Sequence, residues 1–281
     1  MNLATRFIAL GVTLAAIAFH PLHAQVALAP QMADFSLDGP GKTHSFRLSN
    51  EAKLPMHVVV TVSNWTMDAN GKVDIAATTE QSLDSWVQIN PTRFTVLPGQ
   101  SQVVRYAIRP AVPLVSGEHR AMIFFTEDPD AAAKAKPATL RVYFRIGAAI
   151  YAHVGPVHRN GDLVALGTDA QAAVFTLRNT GNATSRMVGQ YALWRTDAYP
   201  THDAVASAQL DTSYRPPKGL LRFGKLPQDA VLPGAIRHST LSFGKASLSP
   251  GHYVLAVEGT FGDSAFNRVV RFDVPAKKDE P

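Results

Sequence analysis

The chain has 281 residues, 46% hydrophobic and 17% charged, with no cysteine. That length suits one large domain or two ordinary ones. Without cysteine there is no disulfide framework, so stability must come from core burial. The formal net charge of +5 is scattered rather than clustered, which reads as a solvated basic surface in preference to a nucleic-acid patch.

Residues 1–24 read as a secretory signal peptide: Arg6 precedes the apolar run 7–19, and PLHA at 21–24 ends in a small residue. Cleavage is expected after Ala24, giving an exported protein. The apolar run is too short to span a bilayer as a stable helix.

After Ala24 almost no segment keeps helical periodicity. Short β-rich runs recur between Gly, Pro, Asn and Asp, the pattern of an all-β sandwich or barrel. Residues 26–37 read as an edge strand interrupted by Pro30. Strands follow at 43–50 (THSFRLSN) and 55–65 (PMHVVVTVSNW), then a hairpin turn on Asn70-Gly71. Residues 85–90, 102–109 and 117–126 continue the series, and 128–138 (DPDAAAKAKPA) reads as a loop.

Residues 139–152 (TLRVYFRIGAAIYA) alternate strictly. Leu140, Val142, Phe144, Ile146, Ala148 and Ile150 share one face; Arg141, Tyr143, Arg145, Gly147, Ala149 and Tyr151 share the other. At about 3.3 Å per residue the strand would run roughly 45 Å, and so long an apolar stripe needs a cover.

A second cycle follows. FTLRN at 175–179 answers FRLSN at 46–50, VLPG at 96–99 returns at 231–234, and GEHR at 117–120 has a looser echo in GHYV at 251–254. Three landmarks in one order predict a duplicated sandwich: a first immunoglobulin-like domain at 25–152, a second at 153–274, and a disordered tail at 275–281. The last strands are expected at 253–261 and 266–274.

Chemical motifs are weak. The GPGKT run at 39–43 carries Ser36 where a phosphate-binding loop needs glycine, and a strand follows it. The histidines are dispersed, without a His-x-His or His-Glu-x-x-His pair, and no Gly-x-Ser-x-Gly elbow is present. The reading is non-enzymatic, with no metal and no cofactor. Trp65, Trp86 and Trp194 lie in strand patterns and are expected in the core. Arg141 and Arg145 share a strand face with two tyrosines, which leaves a solvated face and an anion-binding role both open.

Residues 85–109 (SWVQINPTRFTVLPGQSQVVRYAIR) resemble a run found in the PapD-like periplasmic chaperones of pilus (fimbrial) assembly. Residues 117–129 are similar to the strand that follows in that family, and 46–55, with Asn50 and Pro55, to its second strand and turn. The resemblance implies a periplasmic chaperone that lends an alternating strand to an incomplete immunoglobulin-like subunit. The lent residues would be Ala138, Leu140, Val142, Phe144 and Ile146. Its partners would be a pilin-like subunit and an outer-membrane usher, with self-association through the uncovered strand.

The family anchors the subunit's terminal carboxylate with an arginine on the first strand and a lysine on the long one. Here those positions fall at Met32 or Asp34 and at Gly147. Arg145 and Arg141 are the candidate replacements. The alternative reading is an exported envelope structural or adhesion protein built of immunoglobulin-like domains without a chaperone cycle.

Overall fold

The computed structural model describes residues 25–39, 43–128, 143–201, 203–209 and 216–276. The expected signal peptide, residues 40–42, residues 277–281 of the tail, and Ala138, Leu140, Arg141 and Val142 of the long strand lie outside the described residues.

The protein is two tandem immunoglobulin-like β-sandwiches. The first contains β1 (Val26–Ala29), β2 (Met32–Ser36), β3 (Thr43–Asn50), β4 (Met56–Ser63), β5 (Trp65–Met67) and β6 (Val73–Ile75). It continues with β7 (Val87–Asn90), β8 (Arg93–Val96), β9 (Ser101–Ile108), β10 (Gly117–Glu127) and β11 (Arg145–Val154). One sheet runs β1-β3-β9-β7, the other β2-β11-β10-β4-β8, and β5 and β6 form a separate hairpin. Alternation places Phe46, Leu48, Val104, Ile123, Phe125 and Ile150 in the shared core.

Two departures from the sequence pattern matter. The expected first strand is two strands: β1 pairs with β3 in one sheet and β2 pairs with β11 in the other. Pro30 has no N–H to donate to a ladder, and the chain changes sheets there. The long alternating strand begins among the described residues at Arg145 and runs to Val154, two residues past its expected end.

The second sandwich contains β12 (Gly161–Thr168), β13 (Ala172–Asn179), β14 (Met187–Arg195), β15 (Leu220–Lys225), β16 (Ile236–Ser242), β17 (Gly251–Phe261) and β18 (Ser264–Val274). Its sheets run β12-β13-β16 and β15-β14-β17-β18. Tyr191 and Leu193 of β14 face the core, whereas Ala192 and Trp194 pack outside it with Val205 and Ala208 of the short helix α1 (Ala204–Gln209).

The sequence repeat corresponds to shared physics. The buried Asn50 amide donates to Leu54 O and Val96 O, both at 2.9 Å, while its Oδ1 accepts from Ala52 N–H at 2.9 Å. The buried Asn179 amide donates to Ala183 O and Val231 O, both at 2.8 Å, and accepts from Gly181 N–H at 2.9 Å. In both domains the asparagine closing the Phe-x-Leu-x-Asn strand holds the first carbonyl of Val-Leu-Pro-Gly. The glycines ending that motif, Gly99 and Gly234, turn with φ of 71° and 70°.

The third landmark behaves alike. His119 Nε2 lies 2.9 Å from Val115 O, and the Tyr253 hydroxyl donates to Ser249 O at 2.6 Å. Each side chain sits two residues after a positive-φ glycine, Gly117 or Gly251, and reaches back four residues. This is the tyrosine corner of an immunoglobulin-like sandwich, met by histidine in the first domain.

Candidate functional site at the open edge of β11

Strand β11 pairs antiparallel with β10 along its length, from Gly117↔Val154 to Thr126↔Arg145. Its other edge meets β2 in parallel from Ala149↔Met32 to His153↔Ser36. Among the described residues no strand pairs with that second edge before Ala149. The hydrogen-bond phase identifies the groups left open. Glu127 N–H donates to Phe144 O at 3.0 Å on the β10 side, and Leu37 N–H donates to His153 O at 2.7 Å on the β2 side. Alternation along the strand then turns the N–H and C=O of Arg145 and Gly147 to the open edge, and those of Ile146 and Ala148 to β10.

The inner face emerges gradually from the core. Ala148, Ile150 and Ala152 are fully buried, while Ile146 and Phe144 are half-buried at the margin of the same cluster. On the outer face Tyr143 is exposed, and the Arg145 guanidinium stacks 4.0 Å from the Phe124 ring centroid. Arg145 thus stands on the outer face as expected, already engaged with an aromatic ring.

Gly147 has a packing reason. A Cβ there would lie 2.5 Å from Met122 Sδ and 3.2 Å from Phe124 Cε1, so a side chain here would have to displace the flexible Met122. Asp34 faces His153, with Oδ1 2.7 Å from Nε2.

Charge at the junction between the domains comes from Glu118 and Arg120 of the GEHR landmark and from Arg186 of the second domain. Trp65, Tyr151 of β11 and Leu232 of the second domain form a buried cluster across the junction, flanked by Met67 and Met122. The Glu118 side chain is 0% exposed. It accepts hydrogen bonds from Arg120 Nη1 at 2.9 Å and from Thr184 N–H and Oγ1 at 2.6 and 2.8 Å. The Arg120 and Arg186 guanidinium carbons lie 5.8 Å from the Trp65 and Tyr151 rings, respectively. Arg186 also places Nη2 3.9 Å from Met32 Sδ.

Burial pushes the Tyr151 hydroxyl above its ordinary pKa, against the downward pull of Arg186 beside it. Trp65 Nε1 and Arg120 Nε are buried without partners among the described residues. The local signal for Arg120 was the Gly117-Glu118-His119-Arg120 landmark; nothing local marks Arg186, which reaches the site from the other domain.

No group of three His, Asp or Glu residues suited to a metal occurs among the described residues. No helix among them is long and apolar enough to cross a membrane.

No family model and no curated protein matches the chain. Solved structures similar to it are fimbrial and pilus chaperones at low identity. The YadV chaperone is 11% identical, with a TM-score of 0.46 over 89% of this chain and 100% of that one. The class 5 fimbriae chaperone CfaA is 11% identical, with a TM-score of 0.44 over 89% and 98%. A chaperone–tip adhesion subunit complex, CsuC–CsuE from the archaic Csu pili of Acinetobacter baumannii, is 13% identical, with a TM-score of 0.42 over 78% and 91%.

Proposed function

We propose that the protein is an exported, periplasmic, non-enzymatic chaperone that stabilises a pilin-like subunit by lending it the open edge of β11. The observation that carries the reading is the pairing of β11: β2 covers Ala149–His153 and stops, while the strand and its apolar stripe continue through Ile146 and Phe144. A subunit strand added there would bond the Arg145 and Gly147 backbone and cover the two half-buried side chains. Each large side chain so covered contributes at most about 1.5–3 kcal/mol, before the ordering cost of association. Ala138, Leu140 and Val142 would extend the same stripe, and an usher would receive the loaded subunit.

At the domain junction Arg186 is the candidate for a cation absent from Met32, Asp34 and Gly147. Arg186 has no carboxylate partner among the described residues, which makes it an anion-contact candidate beside Arg145, whereas Arg120 is already paired with Glu118.

The test is co-expression with a pilin-like subunit encoded beside the gene, followed by affinity purification. Ile146→Arg and Phe144→Arg are expected to lose the subunit while each still unfolds in one cooperative thermal transition. Retention of the subunit by both variants overturns the reading and returns the protein to an envelope structural module, the alternative favoured by the missing anchor pair.

A further inference from the structure

We propose that the β5–β6 hairpin is a strap that holds the two domains at one angle, latched by the Arg237 guanidinium over Gly71. The inference concerns how the domain junction keeps its shape and does not depend on strand donation.

The second domain meets the first beside the linker and again at the hairpin. The 179–185 loop meets the start of β10: Glu118 N–H donates to Asn182 O at 2.8 Å, and Thr184 binds the Glu118 carboxylate. These contacts lie beside the linker, where Gly155 has a φ of 60° and its N–H donates to Asp38 Oδ2 at 2.9 Å. Fastened only there, two sandwiches would still rock, since relative motion is the default for domains joined by a small interface.

The second fastening is the hairpin. His238 N–H donates to Ala69 O at 2.7 Å, a main-chain bond from β16 to the hairpin turn. The neighbouring Arg237 side chain is 13% exposed, with Nη1 3.3 Å from Met67 Sδ and Nη2 3.7 Å from Asp229 Oδ1. Its Nε is buried without a partner among the described residues. A buried donor left unsatisfied costs stability, and placing the guanidinium against the hairpin accounts for it.

Gly71 fits this latch twice over. Its φ of 88° is the left-handed region that glycine tolerates, and a Cβ on it would fall onto the Arg237 guanidinium. Asp68 shapes the turn, its Oδ1 accepting from Asn70 N–H at 2.9 Å and Lys72 N–H at 2.8 Å. At the base of the hairpin Trp65 packs on Tyr151 and Leu232, so the strap and the buried junction share one side chain.

The cysteine-free chain allows a direct test. Cysteines at the exposed positions Ser45 and Thr240, one in each domain, take spin labels, and pulsed dipolar spectroscopy reads the interdomain distance distribution. Arg237→Ala and Gly71→Ala are each expected to widen that distribution at least about twofold, as hinge motion returns. If Arg237→Ala lowers the urea midpoint of the second domain, Gly71→Ala, which leaves that domain's sequence intact, decides. A distribution as narrow as that of the unaltered strap in Gly71→Ala overturns the proposal.

Discussion

Asn179→Ala isolates what the repeated motif does. The amide donates to Ala183 O and Val231 O, accepts from Gly181 N–H, and is 1% exposed. Truncation leaves the Ala183 carbonyl unpaired in a buried site and removes one of two bonds at Val231 O, which also accepts from Ser185 N–H at 3.1 Å, and at Gly181 N–H, which also donates to Asn160 O at 3.0 Å. The unpaired carbonyl costs about 1–3 kcal/mol and each lost second bond up to about 1 kcal/mol more, which leaves a loss of about 2–4 kcal/mol. Set against a typical total of about 5–15 kcal/mol, that is a large fraction for one side chain. Asn179→Asp is expected to be at least as damaging, because an oxygen would replace the donor facing two carbonyl oxygens. Urea unfolding followed by circular dichroism measures both variants, and Asn50→Ala should behave alike in the first domain. A loss below about 1 kcal/mol in Asn179→Ala, or a tolerated Asp, would refute the claim that these asparagines pin the strand ends.

Glu118→Ala removes a fully buried carboxylate and leaves Arg120 and the Thr184 N–H without it. Breaking such a buried pair costs about 3–5 kcal/mol, measured as a lower urea midpoint, with faster proteolysis at the linker as a second readout. His44 stacks 3.8 Å from Phe35 and 5.4 Å from Tyr106, and burial holds its pKa below the ordinary histidine value. The folded protein therefore takes up this proton less readily than the unfolded chain, so stability falls as the pH drops below about 6.5 toward the folded pKa. His44→Phe is expected to reduce the loss of urea midpoint between pH 7.5 and 5.5; an unchanged loss would place the acid sensitivity elsewhere.

Local pattern carried the fold further than the site. The duplicated sandwich was legible because Phe-x-Leu-x-Asn and Val-Leu-Pro-Gly must recur together for one asparagine to reach one valine carbonyl. Alternation correctly put Tyr151 on the outer face of β11, yet the residue is 5% exposed because the second domain covers it. No pattern within a strand encodes that cover. Pro30 marked an edge, whereas the change of sheet that starts β2 at Met32 depends on pairing with a strand more than a hundred residues away. The Glu118–Thr184 contact spans 66 positions, which hid it from local reading in the same way. Gly147 looked like a missing cation in the sequence; in three dimensions it makes room for Met122 and Phe124.

The most direct test of strand lending is amide hydrogen exchange of β11, read residue by residue, in the free protein and in the complex purified with the co-expressed subunit. The account predicts fast exchange at Arg145 and Gly147 in the free protein, where their N–H groups face the open edge, and strong protection in the complex. Ile146 and Ala148, bonded toward β10, should be protected in both. Arg145 and Gly147 amides that stay fast in a stable complex, or that are already protected in the free protein, would contradict it.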